Sequence, residues 1–295
     1  MEKRKAIREE ERLLRKYRDP LALAAQDLQA RLYNIFSLNG LWLANQEDQE
    51  SQDALYVYTL YLIGQYLAWR HILRQRAQFM GFTTRNRSKQ LIILLDKITF
   101  TLNTGRPYGE PGMLMKSHQM AIGEIMTVRD EKEGEFLCMG LSAFTKRWKA
   151  EENLIASRER EEDQRPKHHK PSEKSSLKKD KSQEMHLLPF SEASADASDL
   201  TEDTPLHVWF RPWHEAIHYL VDLYRNNDLA AHGARFRNLQ HLFRELVLLL
   251  DPGAETRSEF GRVAKGAGCQ CSMCETPETK SGTKKSKPAN NSGSV

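Results

Sequence analysis

Cysteine is scarce in this chain of 295 residues, which contains four: Cys138 and a cluster of three near the C-terminus. Four are too few to staple a chain of this length with disulfides, so a disulfide-rich secreted scaffold is excluded. Residues 1–5 are mostly charged and no apolar segment follows them, so we do not expect a secretory signal. We therefore expect an intracellular protein in a reducing compartment, either cytoplasmic or peripheral to a membrane.

Long apolar runs are also lacking. The most apolar segment, residues 54–69, contains Gln65 and is shorter than the ~20 residues that a membrane span needs, so we predict a buried central helix and no transmembrane helix. The net charge is only +4, and the sequence does not concentrate its basic residues as a nucleic-acid-binding domain does. We expect no nucleic acid partner, although basic runs at residues 167–170 and 178–181 leave nuclear localisation open.

The common signatures of nucleotide-binding proteins and hydrolases are absent. The chain contains no G-x-x-x-x-G-K-[ST], no G-x-G-x-x-G and no G-x-S-x-G. We therefore expect no cofactor. The absence of these signatures favours a non-enzymatic interaction or scaffold module, with an unknown protein partner and a peripheral membrane contact as an option, over an enzyme.

What the chain does have is helical periodicity. Apolar residues recur every seven positions near the N-terminus, at Ile7, Leu14, Leu21, Leu28 and Ile35. This seam indicates either a coiled-coil arm or a core-facing helix with a charged extension over residues 1–19. We favour the second interpretation, because Asp19 is a good N-cap and Pro20 suits the first position of a helix.

Further apolar stripes predict an all-α fold. Helices are expected over residues 53–80, from Ser88, from Ser117 to Met126, over residues 141–153, from Pro212, and over residues 236–250, with an ambiguous strand at residues 135–139. Neither half of the chain has a complete core of its own. We therefore predict a single helical-bundle-like domain assembled from residues 20–156 and 205–252.

Two segments have the composition of disordered protein. Charged residues, serine and proline dominate residues 157–204, where a basic stretch is followed by an acidic one. Glycine, serine, threonine and lysine dominate residues 253–295. Such segments bury too little apolar surface to offset their chain entropy. We predict a disordered insertion and a disordered C-terminal tail.

Several short motifs resemble an uncharacterised family of helical proteins from filamentous fungi and bacteria. These motifs are Arg18-Asp19-Pro20-Leu21 with the following Asp27-Leu28-Gln29-Ala30-Arg31-Leu32-Tyr33-Asn34-Ile35, the run at residues 60–69, Ile122-Gly123-Glu124-Ile125-Met126, and Leu250-Asp251-Pro252. The resemblance implies a helical fold but no activity, since that family has no known function. It also implies that the insertion and the tail are lineage-specific additions.

One motif could carry metal chemistry. His214-Glu215-Ala216-Ile217-His218 matches H-E-x-x-H, in which two histidines one helical turn apart bind zinc and the glutamate activates a water molecule. A third ligand would be needed, and Glu245 and His232 are the candidates. Because Pro212 is expected to open the helix, His214 should lie in its first turn, near solvent and poorly oriented. A zinc-dependent hydrolase is therefore the alternative function, and chance similarity is the favoured interpretation.

The tail carries a second candidate. Cys269, Cys271 and Cys274 place three thiols within six residues, where they could bind zinc or Cu(I), or be lipidated or oxidised. A structural zinc site normally takes four ligands from a folded knuckle, and here a fourth is missing. We expect adventitious metal binding rather than a dedicated site, with palmitoylation as the alternative.

Overall fold

The computed structural model describes residues 2–37, 40–46, 48–77, 86–105, 108–132, 134–163, 205–229 and 232–256. Within these ranges the helices are α1 (Glu2–Ser37), α2 (Gln49–Ala77), α3 (Asn86–Asn103), α4 (Lys116–Ile125), α5 (Leu141–Asp163), α6 (Leu206–Arg225) and α7 (Ala234–Leu250). Strands β1 (Thr127–Arg129) and β2 (Phe136–Cys138) pair antiparallel, with Val128 opposite Leu137. Short 3-10 helices span Gly40–Asn45 and Pro252–Thr256. The all-α prediction is confirmed.

Helix α2 lies at the centre of the fold. It packs against α1, α4, α5, α6 and the β-hairpin, and its apolar side chains face the core on several sides, including Leu55, Leu60, Ile63, Tyr66, Leu67 and Ile72. The predicted buried central helix is therefore confirmed. In the described residues, no helix is long and apolar enough to cross a membrane.

The two halves of the chain share one core. Helix α7 packs along both α1 and α3, while α6 packs against α2, α4 and α5. A single cluster of buried apolar residues includes members from before residue 164 and after residue 204. The prediction that the closing helices complete the domain of the first half is consistent with this packing.

The N-terminal helix differs from the prediction. Helix α1 runs without a break from Glu2 to Ser37 with Pro20 inside it, so the assignment of Asp19 as an N-cap is wrong. The Asp19 carboxylate instead accepts a hydrogen bond from Arg18 Nε at 2.8 Å. Proline removes one intrahelical hydrogen bond, but α1 packs its buried residues against α2 and α7. The coiled-coil alternative stays a prediction, since the seam's first side chains lie outside the described part.

The first residues of both segments predicted to be disordered are ordered, so the predicted boundaries are wrong. Helix α5 continues to Asp163, because residues 157–163 are mostly arginine and glutamate, which favour helix. After α7, the chain forms the turn Pro252–Thr256 and buries Ala254 completely. The predicted disorder of residues 164–204 and 257–295 lies outside the described residues.

The β-hairpin was predicted only in part. The sequence indicated a strand near residues 135–139 but gave no partner for it. The partner is β1, which follows directly after α4, and the pairing is extended by Met139 N–H donating to the Met126 carbonyl at 2.7 Å. Gly134, with φ +64°, lies in the turn between the strands. Two three-residue strands do not alter the fold class.

A network of charged hydrogen bonds ties the loop after α3 to the start of α7. The Glu110 carboxylate accepts hydrogen bonds from the backbone N–H groups of Gly233, Ala234 and Arg235. The Arg235 guanidinium is fully buried and donates to the carbonyls of Thr101, Leu102 and Glu110 at 3.2–3.3 Å. The negative Glu110 carboxylate thus lies at the positive N-terminal end of α7, and the positive Arg235 guanidinium lies at the negative C-terminal end of α3.

Candidate functional site: a histidine–aromatic cluster on α6

The H-E-x-x-H segment lies in the middle of α6 and not at its start. Helix α6 begins at Leu206, six residues before Pro212, so the prediction that Pro212 opens the helix is wrong. Proline is tolerated here although it lacks an N–H, because the helix buries Phe210 and Trp213 on either side of it. His214 is therefore held by regular helix before and after it. The expected poor orientation in a first turn does not arise.

The two histidines of the motif converge. His214 and His218 lie one turn apart on α6, and their Nε2 atoms are 3.3 Å from each other. Their rings are nearly perpendicular, at 83°, with centroids 4.6 Å apart. His214 is half-buried rather than near solvent, whereas His218 is exposed. One neutral imidazole donating to the other accounts for this geometry in the absence of a metal ion.

Aromatic rings from α2 and α5 surround the pair. Tyr56 stacks on His218 with a centroid distance of 4.5 Å and lies 5.9 Å from His214. Trp148 lies 5.6 Å from His214 and stacks at 3.7 Å on His207, at the beginning of α6. We call these five residues the histidine cluster. Contacts with two neighbouring helices, α2 and α5, hold the imidazoles of α6 in place.

The surroundings of His214 and His218 lower the pKa of both imidazoles. Burial, and then the neighbouring His218 and His207, lower the pKa of His214 to about 4, against a weaker opposing effect of Glu215. Burial also lowers the pKa of His218, although the Asp222 carboxylate one turn further along α6 raises it and Arg225 lowers it. Neutral imidazoles are the form that binds metal ions.

The other residues predicted for a zinc hydrolase do not join the pair. The Glu215 carboxylate accepts a hydrogen bond from Arg211 Nε at 2.8 Å on the exposed side of α6. His232 lies near Tyr219, with Nδ1 3.5 Å from the tyrosine hydroxyl, and Glu245 lies on α7. Across the described ranges, no group of three or more histidine, cysteine, aspartate or glutamate side chains is arranged to hold a metal ion.

The cysteines give no second site within the described residues. Cys269, Cys271 and Cys274 lie outside those residues, so their predicted metal binding or lipidation stays a prediction. Cys138 is half-buried on β2, and burial raises the pKa of its thiol to about 12. A thiol with so high a pKa is a poor nucleophile at neutral pH.

Sequence reasoning missed His207, Trp148 and Tyr56 as members of the cluster. The signal for His207 was its spacing, since it precedes His214 by seven residues and therefore shares its helical face. That signal was lost when the helix was started at Pro212. The aromatic partners come from distant helices, and no spacing within α6 could identify them.

A second feature with functional potential is an exposed apolar surface on α3 and α4. The loop between these helices keeps them side by side, because Leu114 N–H donates to the Leu102 carbonyl and Lys116 N–H to Asn103 Oδ1. Five large apolar side chains are exposed here, namely Ile92, Ile93 and Phe100 on α3, Met115 directly before α4, and Met120 on α4. We call this set the α3–α4 surface. Lys89, Lys97, Lys116, Asp96 and Glu124 are exposed on the same two helices.

Comparison of this chain with protein-family models, with curated proteins and with solved structures finds no match. The resemblance to the uncharacterised helical family therefore stays a prediction. The histidine cluster and the α3–α4 surface are therefore the features of this chain that bear on its function.

Acidification is expected to destabilise the protein through His214. The pKa of the His214 imidazole is about 4 in the folded chain, against an ordinary value of 6.5. Below pH 6.5 the unfolded chain takes up a proton on this imidazole that the folded chain does not take up. The free energy of unfolding is therefore highest above pH 6.5 and falls as the pH drops towards 4. Allowing for its partial exposure, we expect a loss of about 1–2 kcal/mol in the free energy of unfolding. The measurement is urea unfolding at pH 7.5 and pH 5.0 in buffer containing a chelator.

The variant His214→Gln should reduce this pH dependence, and His232→Gln, outside the cluster, serves as the matched control. An equal pH dependence in His214→Gln and in the parent would contradict the assignment. The two variants remove different contacts, because His214 contacts the rings of Trp148 and Tyr56 and His232 lies outside the cluster.

Proposed function

We propose that the protein is a non-enzymatic interaction module that binds an anionic membrane surface through the α3–α4 surface. The observation that carries the proposal is the exposure of Phe100, Ile93 and Met120, which are 65%, 55% and 52% exposed in the described structure. Ile93 and Phe100 are seven residues apart and share the outward face of α3. Large apolar residues exposed along one helix face are found at protein–protein and membrane contacts.

The charges on these helices favour a lipid surface as the partner. Lys89, Lys97 and Lys116 are exposed, against two exposed carboxylates, Asp96 on α3 and Glu124 near the end of α4. Each lysine close to an anionic leaflet contributes about 1 kcal/mol of attraction. Apolar residues flanked by lysines are the pattern of helices that lie in the membrane interface without crossing it.

Binding to vesicles is the direct test of this proposal. We expect the full chain to sediment with vesicles containing phosphatidylserine and much less with pure phosphatidylcholine, and the binding to weaken as salt is raised. Ile93→Ser with Phe100→Ser should reduce the bound fraction at least about fivefold, because the apolar contact is lost. The measurement is co-sedimentation at a fixed lipid concentration.

The matched control is Leu154→Ser with Ile155→Ser, which removes two exposed apolar side chains from α5. An equal loss in this control would contradict the proposal, as would a chain that stays in the supernatant with all vesicles. If Ile93→Ser and Phe100→Ser instead dissociate a dimer, the surface is an interface between two copies of the chain and the proposal is wrong.

The alternative function, a zinc-dependent hydrolase using His214, Glu215 and His218, stays a prediction. The convergence of two imidazoles favours a metal ligand pair. A hydrolytic zinc site normally has three protein ligands and an open position. In the part of the chain that the structure describes, Glu245 and His232 are not grouped with the pair.

A further inference from the structure

The distance between the two histidine nitrogens matches the spacing of ligands on zinc. Two nitrogens bound to tetrahedral zinc at about 2.0–2.1 Å lie about 3.3–3.4 Å apart. The Nε2 atoms of His214 and His218 are 3.3 Å apart. A square-planar metal with bonds of about 2.0 Å would bring them to about 2.8 Å. The nitrogen spacing of the hydrogen-bonded pair therefore equals the spacing that a tetrahedral ion requires.

We propose that His214 and His218 chelate one Zn²⁺ ion through their Nε2 atoms, with water in the remaining positions. The site is a two-histidine chelate, distinct from the three-ligand site of a hydrolase, and assigns no role to Glu215. It is also independent of the proposed membrane contact, because the α3–α4 surface is on other helices.

The surroundings of the pair favour binding over a chance approach. Tyr56 and Trp148 pack against the two rings from α2 and α5, so little side-chain freedom remains to be lost when the ion binds. His218 is exposed, which gives the ion a path from solvent. The open positions on the metal would then face solvent, where water or a carboxylate of a partner can complete the coordination.

The nearby charges are balanced. Asp222 lies one turn beyond His218 and attracts a cation, while Arg225 opposes it and donates through Nη2 to the Ala44 carbonyl at 2.9 Å. On the other side, Glu215 pairs with Arg211. Affinity should therefore come from the two nitrogens themselves rather than from the local electric field, which predicts weak, reversible binding.

The experiment uses untagged full-length chain in which Cys269, Cys271 and Cys274 are replaced by serine, so that the tail thiols do not contribute. Calorimetric titration with ZnCl₂ at pH 7.5 should give one equivalent of bound zinc. His214→Gln and His218→Gln should each weaken the binding at least about tenfold, because each leaves a single protein ligand. The melting temperature of the parent should rise with zinc concentration, and those of the two variants should not.

His232→Gln is the control and should bind zinc like the parent. Circular dichroism of each variant checks that the fold is retained, and the visible spectrum of Co²⁺ bound to the parent gives a readout that requires no histidine substitution. Four-coordinate absorption bands support the proposal. Undiminished zinc binding by His218→Gln, a tenfold loss in His232→Gln, or no zinc binding by the parent would each overturn it.

Discussion

A fragment of residues 1–163 is expected to show no cooperative unfolding transition, although it contains five of the described helices. The fragment lacks α6 and α7. Helix α7 packs along both α1 and α3, so its removal exposes the apolar faces of two helices at once. The measurement is circular dichroism during thermal and urea unfolding, compared with the full chain.

The reason for this expectation is the amount of apolar burial that the fragment loses. Helix α6 contributes eight buried side chains and α7 contributes seven buried apolar ones. Removing these helices also uncovers the side chains of α1, α2 and α3 against which they pack. Each large apolar side chain that loses its burial costs about 1.5–3 kcal/mol, and the whole free energy of unfolding of a domain is only about 5–15 kcal/mol. Exposing a few of these side chains is therefore enough to unfold the fragment.

The control is a mixture of two pieces, residues 1–163 and residues 205–256. If the shared core is what holds the domain together, mixing them should restore a cooperative transition without a covalent link. A fragment of residues 1–163 that melts cooperatively near the temperature of the full chain would contradict the single-core description.

Sequence reasoning predicted those parts of the fold in which the apolar pattern is continuous. The stripe of residues 236–250 and the apolar run around Leu60 and Leu67 gave the closing helix and the central helix, because burial on one face or on all faces leaves a direct trace in composition. Segments whose helix rests on charged residues, such as the end of α5, leave no such trace. Composition alone therefore placed the end of α5 too early.

Two predicted helix starts, both placed at prolines, were wrong for the same reason. Pro20 and Pro212 were taken as the first residues of helices, which is their commonest helical position. In both places the helix continues through the proline, since the core contacts of Leu21 and of Trp213 outweigh the lost hydrogen bond. A local preference of a few kcal/mol is overruled by tertiary packing, and that packing cannot be read from the neighbouring residues.

The candidate site could be predicted only as far as a spacing within one helix. The i, i+4 spacing of His214 and His218 indicated a shared face, which the structure has. The contacts that define the cluster come from Tyr56 on α2 and Trp148 on α5, both more than sixty residues before His214 in the chain. Such contacts depend on how three helices pack, so the sequence showed the two histidines but not their surroundings.

Arg235 is the clearest case of a residue whose role depends on the fold. Its position in the first turn of α7 gives no hint of burial, yet its guanidinium is fully buried and donates to three backbone carbonyls. Burial lowers its pKa, and the Glu110 carboxylate and the Tyr108 ring oppose that effect. The Tyr108 ring lies 5.1 Å from the guanidinium carbon and faces the charge.

Replacing Arg235 by methionine is expected to destabilise the protein by about 2–4 kcal/mol. Methionine fills much of the same space but cannot donate, so the carbonyls of Thr101, Leu102 and Glu110 lose their partner away from water. Arg235→Lys should also be costly, since one ammonium group cannot reproduce the fork that reaches both the end of α3 and the loop. Urea unfolding at pH 7 measures both changes.

The matched control is Arg211→Met, which removes an exposed arginine paired with Glu215 and should cost less than about 1 kcal/mol. Glu110→Gln tests the other half of the network, because it keeps an acceptor for the N–H groups of Gly233 and Ala234 but removes the charge at the N-terminus of α7. If Glu110 and Arg235 act together, the double variant will lose less free energy of unfolding than the sum of the losses in Glu110→Gln and Arg235→Met. A free energy of unfolding for Arg235→Met within about 0.5 kcal/mol of the parent would show that the buried charge does not hold the loop to α3 and α7.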